Sequence, residues 1–505
     1  MKKMIEKKSR LSIGTISILI FFCIGILLRL KPYLCNRSLW LDETFLALNI
    51  VNRSFLELLQ PLSYIQVAPI GFLMIEKSLV HFFGNNEYAL RLFPFLCGVT
   101  SLFLFYKVAK HYIETKAIPI AIGLFAFLPP LIYYSSEVKQ YSSDVMVTLF
   151  LLVTAIYIQP RKLNILRIAL FGFIGATAIW FSHPAMFSLA GMGVISVLFC
   201  LIHKEWSKLL RLLVVYLIWT SSFIILYYVS LNASVHNKAQ INAFDAVFMP
   251  FPPNPQWLVN AFFGIFSVTA HLPLKGIAAL AFLYGCITAF LKKKLEFLSF
   301  LLPMFLVLIA SAFHKYPFEG RLLLFFVPIV VLFIAEGVEQ IRVKANIAGV
   351  IIIGLLFLFP LHNAFKIVTR FVGREEIKPV MNYVKEHRSK GDILYIYYGS
   401  ETAFQYYAKK YGFDENSYVK GISSRDNWVN YINDLNKLRG NKRVWILFSH
   451  VCRWKGVDEG KFFLYHLNII GTQLDVFKSQ GTMVCLYDLS KMDNFNDSLK
   501  PIPAQ

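Results

Sequence analysis

The sequence carries neither a glycine-rich phosphate loop nor a dinucleotide-binding fingerprint. A soluble nucleotide-sugar enzyme is expected to hold its donor on such a loop or on an Asp-x-Asp metal site, so that class is disfavoured. Charge is also scarce. Asp, Glu, Lys and Arg make up 16% of the 505 residues against 56% hydrophobic, a balance that excludes an ordinary soluble domain and indicates an integral membrane protein. No second His or Cys stands near His183 at metal-ligand spacing, so no metal and no cofactor is expected. Of seven cysteines, Cys23, Cys97, Cys200 and Cys286 lie in apolar runs and read as small core residues, which leaves Cys452 and Cys485 as a possible disulfide pair. The net charge of +21 suggests nucleic acid at first sight. The basic residues, however, cluster in short loops between apolar runs, where membrane topology explains them, and no nucleic-acid partner is expected.

Long apolar runs are what the sequence has in abundance. A membrane helix needs about 20 such residues, and about eleven segments qualify: 11–30, 89–106, 117–134, 143–159, 165–182, 185–202, 209–230, 272–291, 296–313, 321–341 and 346–364. The first is long and lacks a small-residue cleavage site after it, so it reads as a retained anchor. Lys2, Lys3, Lys7, Lys8 and Arg10 precede it and place the N-terminus in the cytoplasm. Alternating from there, the loops with Lys107, Lys110 and Lys116, with Arg161, Lys162 and Arg167, with Lys204, Lys208 and Arg211, with Lys292 to Lys294, and with Arg342 and Lys344 all fall inside. That agreement favours an odd number of spans. The remaining loops then share the outer face: "SLWLDETF", "YSSEVKQY", "FSHP", "FMPFPPNPQW" and "HKYPFEGR".

Between Thr44 and Tyr88, stretches such as "FLALNIVNRSFLELLQ" are apolar on one side and read as helices lying on the membrane surface. Beyond about residue 365 the composition turns soluble. "REEIKPVMNYVKEH", "ETAFQYYAKKYG" and "NWVNYINDLNKLRG" read as helices, "DILYIYY" and "RVWILFS" as strands, and "TQLDVFKSQGTMVCLYDL" as a hairpin. This predicts a polytopic α-helical membrane domain, 1–364, followed by a small extracytoplasmic α/β domain, 365–505.

Four stretches together resemble the GT-C membrane glycosyltransferases. They are "LWLDE" after the first span, "NEYALRLFPFLCGVTSLFLFYKVAK" at the second, "YSSEVKQYSSDVMVTLF" at the junction of the third and fourth, and "HKYPFEGRLLLFFVPIVVLFIAEG" near the tenth. The nearest branch is the protein O-mannosyltransferase and aminoarabinose-transferase-like group, and the resemblance covers roughly residues 10–365. It implies a GT-C fold and a sugar donor carried on a polyprenyl phosphate. It further implies transfer to an acceptor hydroxyl, on a protein, lipid or glycan, outside the membrane.

That chemistry needs a carboxylate to take the acceptor proton as the hydroxyl attacks. It also needs fixed cations to stabilise the charge that grows on the leaving phosphate. Asp42 is the candidate base, with Glu43 and Glu137 as supporting acids. Arg91, Lys139, Lys315 and Arg321 are candidate phosphate cations, and His183, Tyr141 and Tyr316 are further candidates. Each has a plainer alternative. Asp42 and Glu43 fit an interfacial pair with Asp42 capping the next helix, Glu137 and Lys139 fit an ion pair, and Arg91 fits a snorkelling side chain. Lys315 and Arg321 fit anchors at a helix end, and His183 fits a helix cap. The aromatic share of 16% suits lipid-facing belts or a groove for an isoprenoid chain. A transporter or flippase for a lipid-linked or anionic substrate is the alternative function, but no two-half repeat is visible and the acids crowd one membrane face. A structural scaffold would leave those acids without chemistry.

Overall fold

Inside a bilayer an apolar run has no hydrogen-bond partner for its backbone but itself, so runs of this length must coil. The computed structural model describes residues 12–158, 164–370 and 373–490. The basic residues Lys2, Lys3, Lys7, Lys8, Arg10, Arg161 and Lys162 lie outside them. The chain begins with α1 (Ile13–Leu34), α2 (Leu41–Asn52), α3 (Ile70–Phe83), α4 (Glu87–Tyr112), α5 (Ile118–Phe127), α6 (Pro129–Tyr133), α7 (Tyr141–Ile158), α8 (Ile165–Phe181) and α9 (Ala185–Ile202). Among the described residues nine helices are long and apolar enough to cross a membrane. They are α1, α4, α7, α9, Trp206–Val235, Lys275–Lys292, Lys294–Ala312, Gly320–Lys344 and Asn346–Arg370. The other two expected spans are helical but differ in form. Residues 117–134 make a pair, α5 and α6, bent by 56°, and α8 has only 17 residues.

The bend has a covalent cause. Pro129 and Pro130 carry no N–H, so the carbonyls four residues earlier, on Phe125 and Ala126, lose their helical donors. Arg29 of α1, buried in the same unit, replaces them: its guanidinium donates to Phe125 O (3.2 Å) and Ala126 O (3.2 Å), and to Gly25 O of its own helix (2.9 Å). Two backbone dipoles thereby answer a charge in an apolar setting. Hydrogen bonds to a charged group are worth about 1.5–3 kcal/mol each, so Arg29→Ala is expected to lower the thermal midpoint of detergent-purified protein, with Arg29→Lys restoring only part of it. An unchanged midpoint in Arg29→Ala overturns this account. Elsewhere, the helices Lys275–Lys292 and Val327–Lys344 meet backbone to backbone. A Cβ on Gly285 would lie 1.9 Å from the Phe333 carbonyl oxygen, and one on Gly337 1.9 Å from that of Ala281, the close approach that small residues permit between membrane helices.

The described residues fall into two compact units, 12–36 with 49–370 and 37–48 with 373–490. In the second, β1 (Ile393–Ile396), β2 (Val419–Lys420), β3 (Val444–Ser449), β6 (Thr472–Ser479) and β7 (Thr482–Asp488) form one sheet in the order β2-β1-β3-β7-β6, while β4 (Arg453–Trp454) and β5 (Val457–Asp458) pair separately. β1 runs parallel to β2 and β3, and β7 antiparallel to β3 and β6. Every residue of the apolar run in β3 is buried, as a central strand requires. The helices Ile377–His387, Glu401–Tyr411 and Trp428–Asn436 stand where the sequence places them, the second stopped by Gly412 at φ 79°. The helix Glu459–Ile470 was not anticipated. All seven cysteines are free, which corrects the suggested Cys452–Cys485 pair. Cys485 lies within the ladder opposite Ile446, whereas Cys452 follows the end of β3, out of line for the short Cα separation a disulfide needs.

Candidate functional site

The segment with both acids packs in the same unit as the tail. Helix α2 begins at Leu41, which puts Asp42 and Glu43 in its first turn, where the helix dipole favours carboxylates. Asp42 is therefore not the N-cap. The first N–H groups of a helix have no partner within it, and here carboxylates supply them. Trp40 N donates to Glu43 Oε2 (3.4 Å) and Leu41 N to Glu375 Oε2 (3.2 Å). Just upstream, Ser38 donates to Glu376 Oε2 through both its N–H (3.0 Å) and its hydroxyl (2.9 Å), and Leu39 N donates to the Tyr407 hydroxyl (2.9 Å). Three backbone N–H groups of the segment are thus held by tail side chains.

The two acids differ in their surroundings. Glu43 is fully buried and accepts from Arg37 Nη1 at 2.7 Å, in an ion pair whose partners are 3% and 0% exposed. Asp42, one residue earlier, is partly exposed. Adjacent helical residues point in different directions, so the two acids face different surroundings.

The other candidates lie in the first unit. "YSSEVKQY" docks on the loop before α3, with Lys139 Nζ donating to Gln66 Oε1 (2.6 Å) and Gln140 Nε2 to Val67 O (3.2 Å). Tyr64 and Ile65, just before Gln66, both adopt left-handed backbone (φ 60° and 54°), a strain that side-chain-bearing residues rarely accept. Lys139, Glu137 and Arg91 are all buried. Arg321 stacks its guanidinium 5.4 Å over the ring of Tyr141, which in turn packs on Tyr134 at 5.0 Å. Two of the motifs that the sequence expects on the outer face thereby meet. Lys315 instead is exposed and donates to Val235 O (3.3 Å). The Tyr316 hydroxyl closes its own loop by donating to Leu322 O (2.9 Å). His183 is buried, and its Nε2 has no hydrogen-bond partner.

Several buried acids escaped the sequence reading, Glu76 and Asp144 among them. Glu76 on α3 is fully buried with no hydrogen-bond partner for either oxygen, and burial pushes its carboxyl well above the usual range. Asp144 is buried in the first turn of α7, and Cys97 lies within electrostatic reach of both. The missed signal was periodicity: Ile70, Leu73 and Glu76 fall on one helical face, so Glu76 stands among core positions. Among the described residues no three His, Cys, Asp or Glu side chains are grouped to hold a metal ion.

No protein-family model and no curated protein matches the chain. Solved structures match in fold. ArnT from Cupriavidus metallidurans in the apo state is 11% identical, with TM-score 0.52, over 95% of this chain and 99% of its own. The same protein bound to undecaprenyl phosphate is 12% identical, with TM-score 0.51, over 93% and 97%. The apo oligosaccharyltransferase of Archaeoglobus fulgidus is 11% identical, with TM-score 0.53, over 97% of this chain and 76% of its own. The chain is a multi-pass membrane protein with the GT-C fold, as the sequence resemblance implied.

Proposed function

We propose that the chain is a membrane glycosyltransferase that moves a sugar from a polyprenyl-phosphate donor to an acceptor hydroxyl on the extracytoplasmic face. The observation that carries this reading is the clamping of the acid-bearing segment by three tail residues, with Glu43 buried against Arg37 and Asp42 partly exposed. A base must be held still yet reachable, and this arrangement does both. Asp42 takes the acceptor proton as its oxygen attacks the anomeric carbon. The phosphate leaves toward fixed cations, for which the candidates are buried Lys139 and Arg91 and the stacked Arg321, with Lys315 at the surface. The full-length fold likeness to ArnT, a protein that binds undecaprenyl phosphate, supports a lipid-phosphate donor. The basic loops support a cytoplasmic N-terminus with 365–505 outside, and Glu137 is the rival base.

Purified protein is expected to release polyprenyl phosphate from lipid-linked sugars. Lys139→Ala or Arg321→Ala should lower kcat/KM by about tenfold or more with melting unchanged. Release that is absent for hexose and pentose donors alike, with lipid-linked sugar crossing vesicle membranes instead, favours the flippase reading. Unchanged kcat/KM in both variants removes these cations from phosphate binding.

A further inference from the structure

The soluble unit holds a cluster of chemically active side chains that transfer does not use. Arg425 donates from Nη2 to Cys452 Sγ at 2.8 Å, short for a contact to sulfur. The thiol also lies against His450, donating to its backbone carbonyl (3.6 Å), and His450 Nδ1 lies 2.7 Å from Glu375 Oε1, so a carboxylate orients the imidazole. Arg425 is itself fixed. Its Nε donates to the Tyr398 hydroxyl (2.9 Å) and lies 3.6 Å from the buried carboxylate of Glu459, which also accepts from the Tyr397 and Tyr398 hydroxyls. Cys452 is only partly buried. A partly exposed thiol held against a guanidinium, with a carboxylate-paired imidazole on the adjoining backbone, is the electropositive setting that activates a cysteine.

We propose that Cys452 is a covalent modification site of the soluble unit that takes small disulfides, with His450, Glu375 and Arg425 holding its sulfur ready for attack. Cys452 Sγ attacks one sulfur of a disulfide R–S–S–R. The S–S bond breaks, a Cys452–S–S–R bond forms, and the second sulfur leaves as RS⁻ with the electron pair, the thiol proton having passed to solvent before the attack.

The groups facing the thiol are His450, Arg425 and Glu459. The hydrogen bond from His450 and the charges of Arg425 and His450 lower its pKa, against burial and the opposing charge of Glu459. Burial disfavours the charged imidazole, but its contacts with Cys452 and Glu375 outweigh that and raise it to about 9. The cationic partner therefore persists at neutral pH and is lost as pH rises through about 9.

The test uses the intact protein in detergent, with neutral 2,2′-dithiodipyridine as the probe and peptide mass spectrometry of each cysteine as the readout. Exposed Cys35 serves as internal reference. At pH 6.5 Cys452 should react at least about tenfold faster than Cys35, because an ordinary thiol near pKa 8.5 is only about 1% thiolate there. The ratio should narrow toward pH 9, and Arg425→Gln or His450→Gln should reduce it. Equal rates for Cys452 and Cys35 in the unmodified protein overturn the proposal without recourse to any variant. So does a preference that survives both substitutions in protein with unchanged melting.

Discussion

Asp42→Asn is expected to lower single-turnover transfer by about 10²–10⁴ while donor binding survives, since the amide keeps the size and shape of the side chain but accepts no proton. The neighbouring change should behave differently. Glu43→Gln weakens an ion pair with Arg37 that is almost wholly buried, and disrupting such a pair costs about 3–5 kcal/mol because the remaining charge stays buried without compensation. Its damage should therefore appear in melting temperature, and the fraction that remains folded should transfer at a rate closer to normal than Asp42→Asn. Glu137→Gln completes the set. Near-normal transfer by Asp42→Asn beside an inactive Glu137→Gln reassigns the base to Glu137, and near-normal transfer by all three variants removes the carboxylate mechanism.

Glu376→Ala is expected to reduce kcat by about tenfold to several hundredfold, although Glu376 touches no reacting atom. One of its oxygens accepts from both the N–H and the hydroxyl of Ser38. Each hydrogen bond to a carboxylate is worth about 1.5–3 kcal/mol, so their loss frees the entry to α2 and with it the position of Asp42. A purely structural role would lower stability alone. A positioning role raises amide exchange at residues 38–41 and lowers kcat with little change in donor KM, and Glu376→Gln, which keeps an acceptor oxygen, should recover part of the loss. Faster exchange with an unchanged kcat would show that the chemistry does not depend on the order of this segment.

Much of the architecture was legible because it rests on local rules. Apolar runs of membrane length become helices wherever they stand, so the expected spans are found as helices, and the strands β1, β3, β6 and β7 follow from short apolar runs between turn residues. The bend between α5 and α6 was written in Pro129 and Pro130, but that Arg29 answers it was not, since the pairing joins residues 96 and 97 positions apart. The unforeseen helix Glu459–Ile470 has apolar residues on both sides of Tyr465 and His466, which blurs its periodicity.

The candidate site divides in the same way. The sequence by itself determined that "SLWLDETF" places two acids after the first span and that other inter-span motifs bear cations, because composition and order are local properties. Only tertiary structure showed Glu43 buried against Arg37 beside a partly exposed Asp42, and found Glu76 and Asp144 enclosed near Cys97. It alone returned Glu375 and Glu376 to Leu41 and Ser38, across 334 and 338 residues, and set His450 and Arg425 around Cys452. The physical reason is that a side chain's exposure and its partners depend on which distant surfaces fold against it, and no spacing rule along the chain encodes that.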